Sequence, residues 1–491
     1  MACRRISESV VRGATTAESV VGQALARLEG DRFGAVVSVD RDGAMERARE
    51  VDLEVRRGRL RGPLVGVPVV IKDNICTRWW RTTAGSRALA DFVPSYDAAV
   101  VERLAAAGAV VCAKTNCDEF AMGSRGTTSA FGPTQNPRAA GRSPGGSSSG
   151  SAAAVAGGLA PVALGSDTGG SIRLPAAWTG TVGFKPSYGA VSRRGLVAYC
   201  SSTDVIGPIG ASVEDVAAVF DALAGPDAGD ETVATARAAG EELPRTAAVL
   251  LDGDLPGVVV DAVRTVASCF PKRRDASLPS LAAACAAYHV CAASEAFSNL
   301  ARHVVRAMPR SRASWAEGTP DCFGPECARR LELGARLLGE RHADALYFRA
   351  LDVRREVARS LRDIFAHADI LVCPVAPHLP PRFDDHLPPA DRGGGGDAAS
   401  RRGDFLDAVA PDLPADYRDD DFTAFASLAG LPAITLPVAG SSSAGLPVGV
   451  QLVARRFEDR TLLAAARLVS RLLRDDDDDD DHEEPNASIY Y

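Results

Sequence analysis

Apolar residues recur at helical spacing through residues 7–29 and the pattern stops at Gly30, which predicts one long helix ending there. Shorter apolar runs at Phe33–Val39, Val65–Ile71 and Ala109–Ala113 read as strands, and Ala98–Ala107 reads as a helix between the last two. Strand and helix patterns therefore alternate, which argues for an α/β sheet layered by helices. Ala152–Ala156 reads as a helix opening just after a serine-rich turn, with its free N–H groups facing that turn. Residues 244–366 are rich in alanine and arginine and read as mostly helical. Residues from about 380 to 418 are rich in Pro, Gly and Asp and read as a long mobile loop. Ordered sequence returns at Phe422–Pro437, and Leu446–Val453 reads as a strand. Residues 475–491 open with seven aspartates and read as a disordered acidic tail.

Composition narrows the function classes. A hydrophobic share of 46% with 24% charged residues is that of a globular chain. The longest apolar stretches, Ala152–Gly165 and Leu281–Ala293, are broken by Gly and Pro or carry His289. Neither reaches the ~18 residues of a spanning helix, so no membrane role is expected. The net charge of −8 comes from the nine acidic residues of 475–484, and without them the total is +1. That balance gives no general basic face for gripping nucleic acid. The 11 cysteines are scattered without a CxxC pair, which reads as reduced core thiols with no metal site. The N-terminal arginines run straight into acidic residues and the first helix, so no targeting segment is expected within this chain.

The chemistry concentrates in one segment. Ser143 to Ser166 is 24 residues without a charge, and two glycine–serine turns, GGSSSG and SDTGGSIR, stand on either side of its small-residue run. Glycines there let backbone approach a substrate closely, and serines supply nucleophiles or relays. All seven histidines lie at or beyond His289, and neither Ser147 nor Ser171 is the central serine of a GxSxG elbow. A lysine base is then the next option. Only four of the 55 basic residues are lysines: Lys72, Lys114, Lys185 and Lys272. A desolvated lysine can lose its proton, whereas arginine stays charged. Lys72 ends the apolar run LVGVPVVIK and is the candidate base; pairing with Asp73 or another acid is its purely structural alternative.

GGSSSGSAAAV, ALGSDTGGSIRLPAA, VGFKPSYG and the upstream VVIKDNI together resemble the amidase signature family, over about residues 8–225, 286–374 and 416–473. The resemblance implies an α/β fold with a central mixed β-sheet covered by helices on both faces. It also implies one catalytic domain over 1–474, with its core at about 60–225. Ser171 is then the nucleophile, Ser147 the bridging serine and Lys72 the base. The backbone N–H groups of Thr168, Gly169 and Gly170, with that of Ser171, hold the oxyanion. DEFAMGS, AFGPTQNP and SLAGLPAITLPV are similar to the branch that supplies ammonia to a tRNA-dependent amidotransferase. That likeness implies glutamine as substrate, Arg354 on its carboxylate and Asp420 (Asp419 or Asp421 in a shifted register) on its amino group. It implies no cofactor in this chain, with ATP and Mg on the partner. The implied partners are a tRNA-binding B-type subunit and a small C-type subunit, with Glu-tRNA(Gln) contacted only indirectly. The compartment is then a mitochondrion or chloroplast in a eukaryote and the cytoplasm otherwise. Ser149, Ala190, His303 and Phe425 depart from that branch, which leaves a stand-alone amidase as the alternative.

Overall fold

The computed structural model describes residues 2–60, 62–234, 243–279, 281–307, 322–339, 343–385, 417–438 and 445–478. The N-terminal helical pattern is two helices, α1 (Ala2–Val11) and α2 (Ala17–Glu29), where one was expected. Gly13 takes a left-handed φ of 75° that ends the first. The Thr16 side chain accepts from the Ser19 N–H and starts the second.

The chain then runs β1 (Val36–Val39), α3 (Arg41–Arg56), β2 (Pro68–Lys72), α4 (Ala99–Ala106), β3 (Val110–Thr115), α5 (Ser149–Ala156), β4 (Val162–Asp167), α6 (Arg173–Thr179), β5 (Val182–Lys185), β6 (Val205–Gly210) and α7 (Val213–Leu223). The middle region adds β7 (Thr246–Leu250), α8 (Gly257–Ser268), β8 (Lys272–Ala276), α9 (Leu281–Ala307), α10 (Pro325–Leu337) and α11 (Arg349–Phe365). It closes with β9 (Ile370–Pro374), α12 (Ala424–Leu428), β10 (Ala433–Val438), β11 (Val448–Val453) and α13 (Asp459–Asp478).

The eleven strands among the described residues form one mixed sheet in the order β1-β3-β2-β4-β6-β5-β10-β11-β9-β7-β8. Alternation along the strands divides the core between the two faces. Val69 and Ile71 of β2 pack with Leu104, Phe220, Val263 and Leu462 from α4, α7, α8 and α13. Val70 faces the other way and joins the alanines of α5, while Leu371 and Ala433 on that side join α9, α10 and α11. The expected fold class is the observed one.

The middle region is mostly helical, as expected, and it also holds two strands: β7 and β8 form a parallel pair at one end of the sheet, and β7 also pairs with β9. The expected loop at 380–418 falls largely outside the described residues. Its margins are built: Arg382 bridges to Arg142, and Tyr417–Asp420 is a 3-10 helix. The expected tail at 475 starts too early, because α13 continues to Asp478; residues 479–491 lie outside the described ones. Among the described residues no helix is long and apolar enough to cross a membrane.

Candidate active site

β2 lies between β3 and β4 and is parallel to both, so the three strands end at the same edge of the sheet. Such carboxyl ends are where open α/β sheets place ligands. Lys72 is the last residue of β2, on the face of Val70 that α5 covers. Its ammonium nitrogen lies 2.7 Å from Ser147 Oγ and 2.9 Å from Ser166 Oγ. Asn74 Nδ2 donates to the same Ser166 hydroxyl at 2.9 Å. Lys72 is fully buried, and burial lowers its pKa to about 8 despite the opposing pull of Asp118, Asp167 and Asp204.

Ser147 sits just before α5, on a turn whose Gly146–Ser147 peptide bond is cis. Gly145, at φ 81°, packs so closely that a Cβ would stand 2.6 Å from the Pro175 Cα, so only glycine fits there. The second turn follows β4 and is tied to the first by Ser148 N–H donating to the Ser171 carbonyl at 3.1 Å. Ser147 is fully buried, whereas Ser171 keeps 7% exposure. The Ser171 hydroxyl makes no hydrogen bond among the described residues. The N–H groups of Thr168, Gly169, Gly170 and Ser171 likewise donate to no protein acceptor there.

Arg173 fixes the shape of the second turn. It is fully buried and grips Asp167 with two hydrogen bonds of 2.9 Å. It also donates to the carbonyls of Gly169 and Thr423, to Ser427 Oγ and to Gln451 Oε1. Burial works to raise the Asp167 pKa, but Arg173 holds the carboxyl below its usual range. On the other side Thr168 Oγ1 donates to Asp204 at 2.8 Å. Asp204 also receives the N–H groups of Tyr199 and Cys200, and burial lifts its pKa to about 6.

The cover of the turn comes from distant sequence. A Cβ on Gly169 would collide with the Tyr288 ring, and one on Gly170 would meet Thr423 Oγ1 and Asp420 Oδ1 at 2.5 and 2.7 Å. Of the three adjacent aspartates, Asp420 is therefore the one against the turn. Asp419 is buried on Ser124, Arg125 and His378, and Asp421 pairs with Arg418. Arg354 is placed elsewhere on the cover: its guanidinium donates to the Leu428 carbonyl and to Ser202 Oγ and O. No hydrogen bond or ion pair joins it to Ser171 or Asp420 among the described residues. His289 does fold back to this region, yet it makes no hydrogen bond to Ser171. Ser149 hydrogen-bonds with Thr134, and His303 stacks on Phe120.

The structural alternative for Lys72 is not what is seen: Asp73 pairs with Lys114 at 3.8 Å, and among the described residues Lys72 bonds only Ser147 and Ser166. Sequence reasoning missed Asn74, Ser166, Asp204, Tyr288 and Thr423. Asn74 and Ser166 stand inside the quoted motifs and were legible as their polar members. Asp204, in SSTDVIGPI, and Thr423, in DDDFTAF, stand in stretches that share the family resemblance, whereas Tyr288 carries no local signal.

A family model described as Amidase matches residues 19–463. This chain belongs to the amidase family. It is 41% identical over 490 residues to the A subunit of the glutamyl-tRNA(Gln) amidotransferase of Symbiobacterium thermophilum, covering 95% of each chain. Among solved structures it is similar to the A subunit of the glutamyl-tRNA(Gln) amidotransferase from Thermotoga maritima, at TM-score 0.72 and 32% identity, covering 93% of this chain and 91% of that one. It is also similar to the native peptide amidase from Stenotrophomonas maltophilia, at TM-score 0.76 and 30% identity, covering 96% of each.

Proposed function

We propose that this chain is the glutaminase component of a glutamyl-tRNA(Gln) amidotransferase, releasing ammonia from glutamine for conversion of Glu-tRNA(Gln) to Gln-tRNA(Gln). The observation that carries the chemistry is the 2.7 Å contact between Lys72 and Ser147 in a buried site beside the Ser171 turn. Neutral Lys72 takes the proton of Ser147 as Ser147 takes that of Ser171, and Ser171 Oγ attacks the carboxamide carbon. The unengaged N–H groups of Thr168, Gly169, Gly170 and Ser171 receive the developing oxyanion, each such donor typically worth ~3 kcal/mol in the transition state. The proton returns through Ser147 to the departing nitrogen, which leaves as ammonia. Water, deprotonated by the same relay, then frees glutamate from Ser171.

Identity of 41% over 95% of the chain to the A subunit of such an amidotransferase supports glutamine as the substrate and an assembly of several chains. Its partners would be a tRNA-binding B-type subunit and a small C-type subunit, with ATP and Mg acting on the partner. Asp420, against Gly170, would receive the α-amino group, and Arg354 would serve the carboxylate. A stand-alone amidase is the second reading, favoured by the higher TM-score to the peptide amidase.

Two measurements test this. The chain assembled with its partner should form Gln-tRNA from Glu-tRNA with glutamine as the only nitrogen donor. Failure there, together with fast turnover of simple amides by the chain alone, favours the stand-alone enzyme. The pH profile tests the base. Protonated Lys72 has no lone pair, so kcat/KM should fall as pH drops through about 8 and level off above it. A flat profile between about pH 6.5 and 9 contradicts that role.

A further inference from the structure

His289 is an unexplained group at the edge of this site. It lies on α9, 4% exposed, next to Tyr288, whose ring covers Gly169. Its Nε2 has no hydrogen-bond partner among the described residues, an arrangement that ordinarily costs stability and points to a role. That nitrogen is 4.0 Å from Asp420 Oδ2, while Oδ1 of the same carboxylate faces Gly170 and Thr423. The Asp420 carboxylate thus spans from the catalytic turn to the imidazole.

Burial and the nearby Arg330 cation depress the His289 pKa to about 3, so the ring is neutral; its one N–H serves the backbone of Tyr417, which leaves the lone pair on the unpartnered Nε2. Arg330 itself is engaged by Glu326 and by the Tyr199 hydroxyl, each at 2.6 Å. A neutral Nε2 lone pair and a carboxylate oxygen are both acceptors. At 4.0 Å they are too far apart to bond each other. A tetrahedral ammonium donating to two acceptors at ~2.8 Å needs them about 4–5 Å apart.

We propose that His289 and Asp420 together form the seat of a protonated α-amino group, selecting carboxamides that carry an ammonium over those that do not. This rests on the glutaminase reading and extends it: Asp420 supplies charge, and His289 supplies a second, uncharged acceptor that fixes direction. A water or a neutral amide has at most two hydrogens to donate and no charge to set against Asp420, so it gains less there.

The test compares L-glutamine with glutaramate, the same molecule without its amino group, using the chain assembled with its tRNA-binding partner. His289→Phe should lower kcat/KM for glutamine about ten- to a hundredfold, through KM, while glutaramate turnover stays nearly constant and reports an intact fold. His289→Gln, which restores an acceptor, should recover part of the preference. Equal losses on both substrates, or an unchanged ratio, overturn the proposal. Ser171→Ala protein gives a readout independent of the His289 variants: the His289 Nε2 nitrogen resonance should shift with glutamine and not with glutaramate. An identical response to both overturns it. If the complex releases no ammonia from glutamine at all, the glutaminase reading fails separately. The comparison is then made with 4-aminobutanamide and butanamide, where loss of preference for the ammonium-bearing amide in His289→Phe supports the proposal and an unchanged preference overturns it.

Discussion

Lys72→Arg is expected to lose about 10³-fold or more in kcat/KM for amide hydrolysis, as much as Lys72→Ala. The reason is protonation before size. Lys72 is fully buried and touches only hydroxyl and carbonyl oxygens of Ser147 and Ser166, with no carboxylate in hydrogen-bond contact among the described residues. In that setting an ammonium gives up its proton near pH 8, whereas a guanidinium keeps its charge at every working pH. The larger planar group must also displace Ser147 or Ser166. Ammonia release measured across pH checks this, because the arginine variant should lose the ionisation near 8 along with the rate. In a Ser171→Ala background, removing Lys72 should cost little more, since residues acting as one relay are not additive. An arginine variant with near-parental activity would remove Lys72 from the base role.

Arg173→Met carries the second large effect, on stability. Methionine fills part of the volume but leaves Asp167 charged, fully buried and without its partner, a loss that typically costs about 3–5 kcal/mol. It also releases the Gly169 and Thr423 carbonyls, so the second serine turn and the Asp420–Thr423 cover lose their common tie. The denaturation midpoint should fall and amide hydrolysis with it. Adding Asp167→Asn should return part of the stability, because the unpaired charge is gone. A change below about 1 kcal/mol in the single variant would mean that the pair is not what holds the turn.

Several elements were legible because their signals are local. α4, β3 and β11 have apolar patterns of the right period and length, and each lies within a few residues of its expected span. β8 was not legible: its sequence KRRDA is exposed along most of its length at the sheet's end, so it has no buried face to write a pattern. β7 is a short alanine-rich run, TAAVL, that a helix could equally contain. The break between α1 and α2 turned on one glycine conformation, which helical periodicity alone does not register.

The site divides the same way. Lysine scarcity singles out four positions, and three of them, Lys72, Lys114 and Lys185, are fully buried. Burial lowers the pKa of all three, and Lys185 goes further than Lys72, to about 7. Depression of pKa therefore does not choose the base. Lys114 is engaged by Asp73, Thr82 and the Ile75 carbonyl, and Lys185 by the carbonyls of Leu431 and Pro186. Of the three, Lys72 is the one that meets the first serine turn.

What the sequence by itself determined was the alternating α/β class and two glycine–serine turns built for close backbone approach. Composition, motif and spacing act within a few residues, and those features need nothing more. Tertiary structure decided which lysine meets the first serine turn, because α5 packs on β2 beside its parallel partner β4 and so brings together side chains 75 residues apart in sequence. It also set Asp420, of the three adjacent aspartates, against the second turn and brought His289 to Asp420. Those choices depend on which distant segment packs over the turn, and no local pattern encodes that.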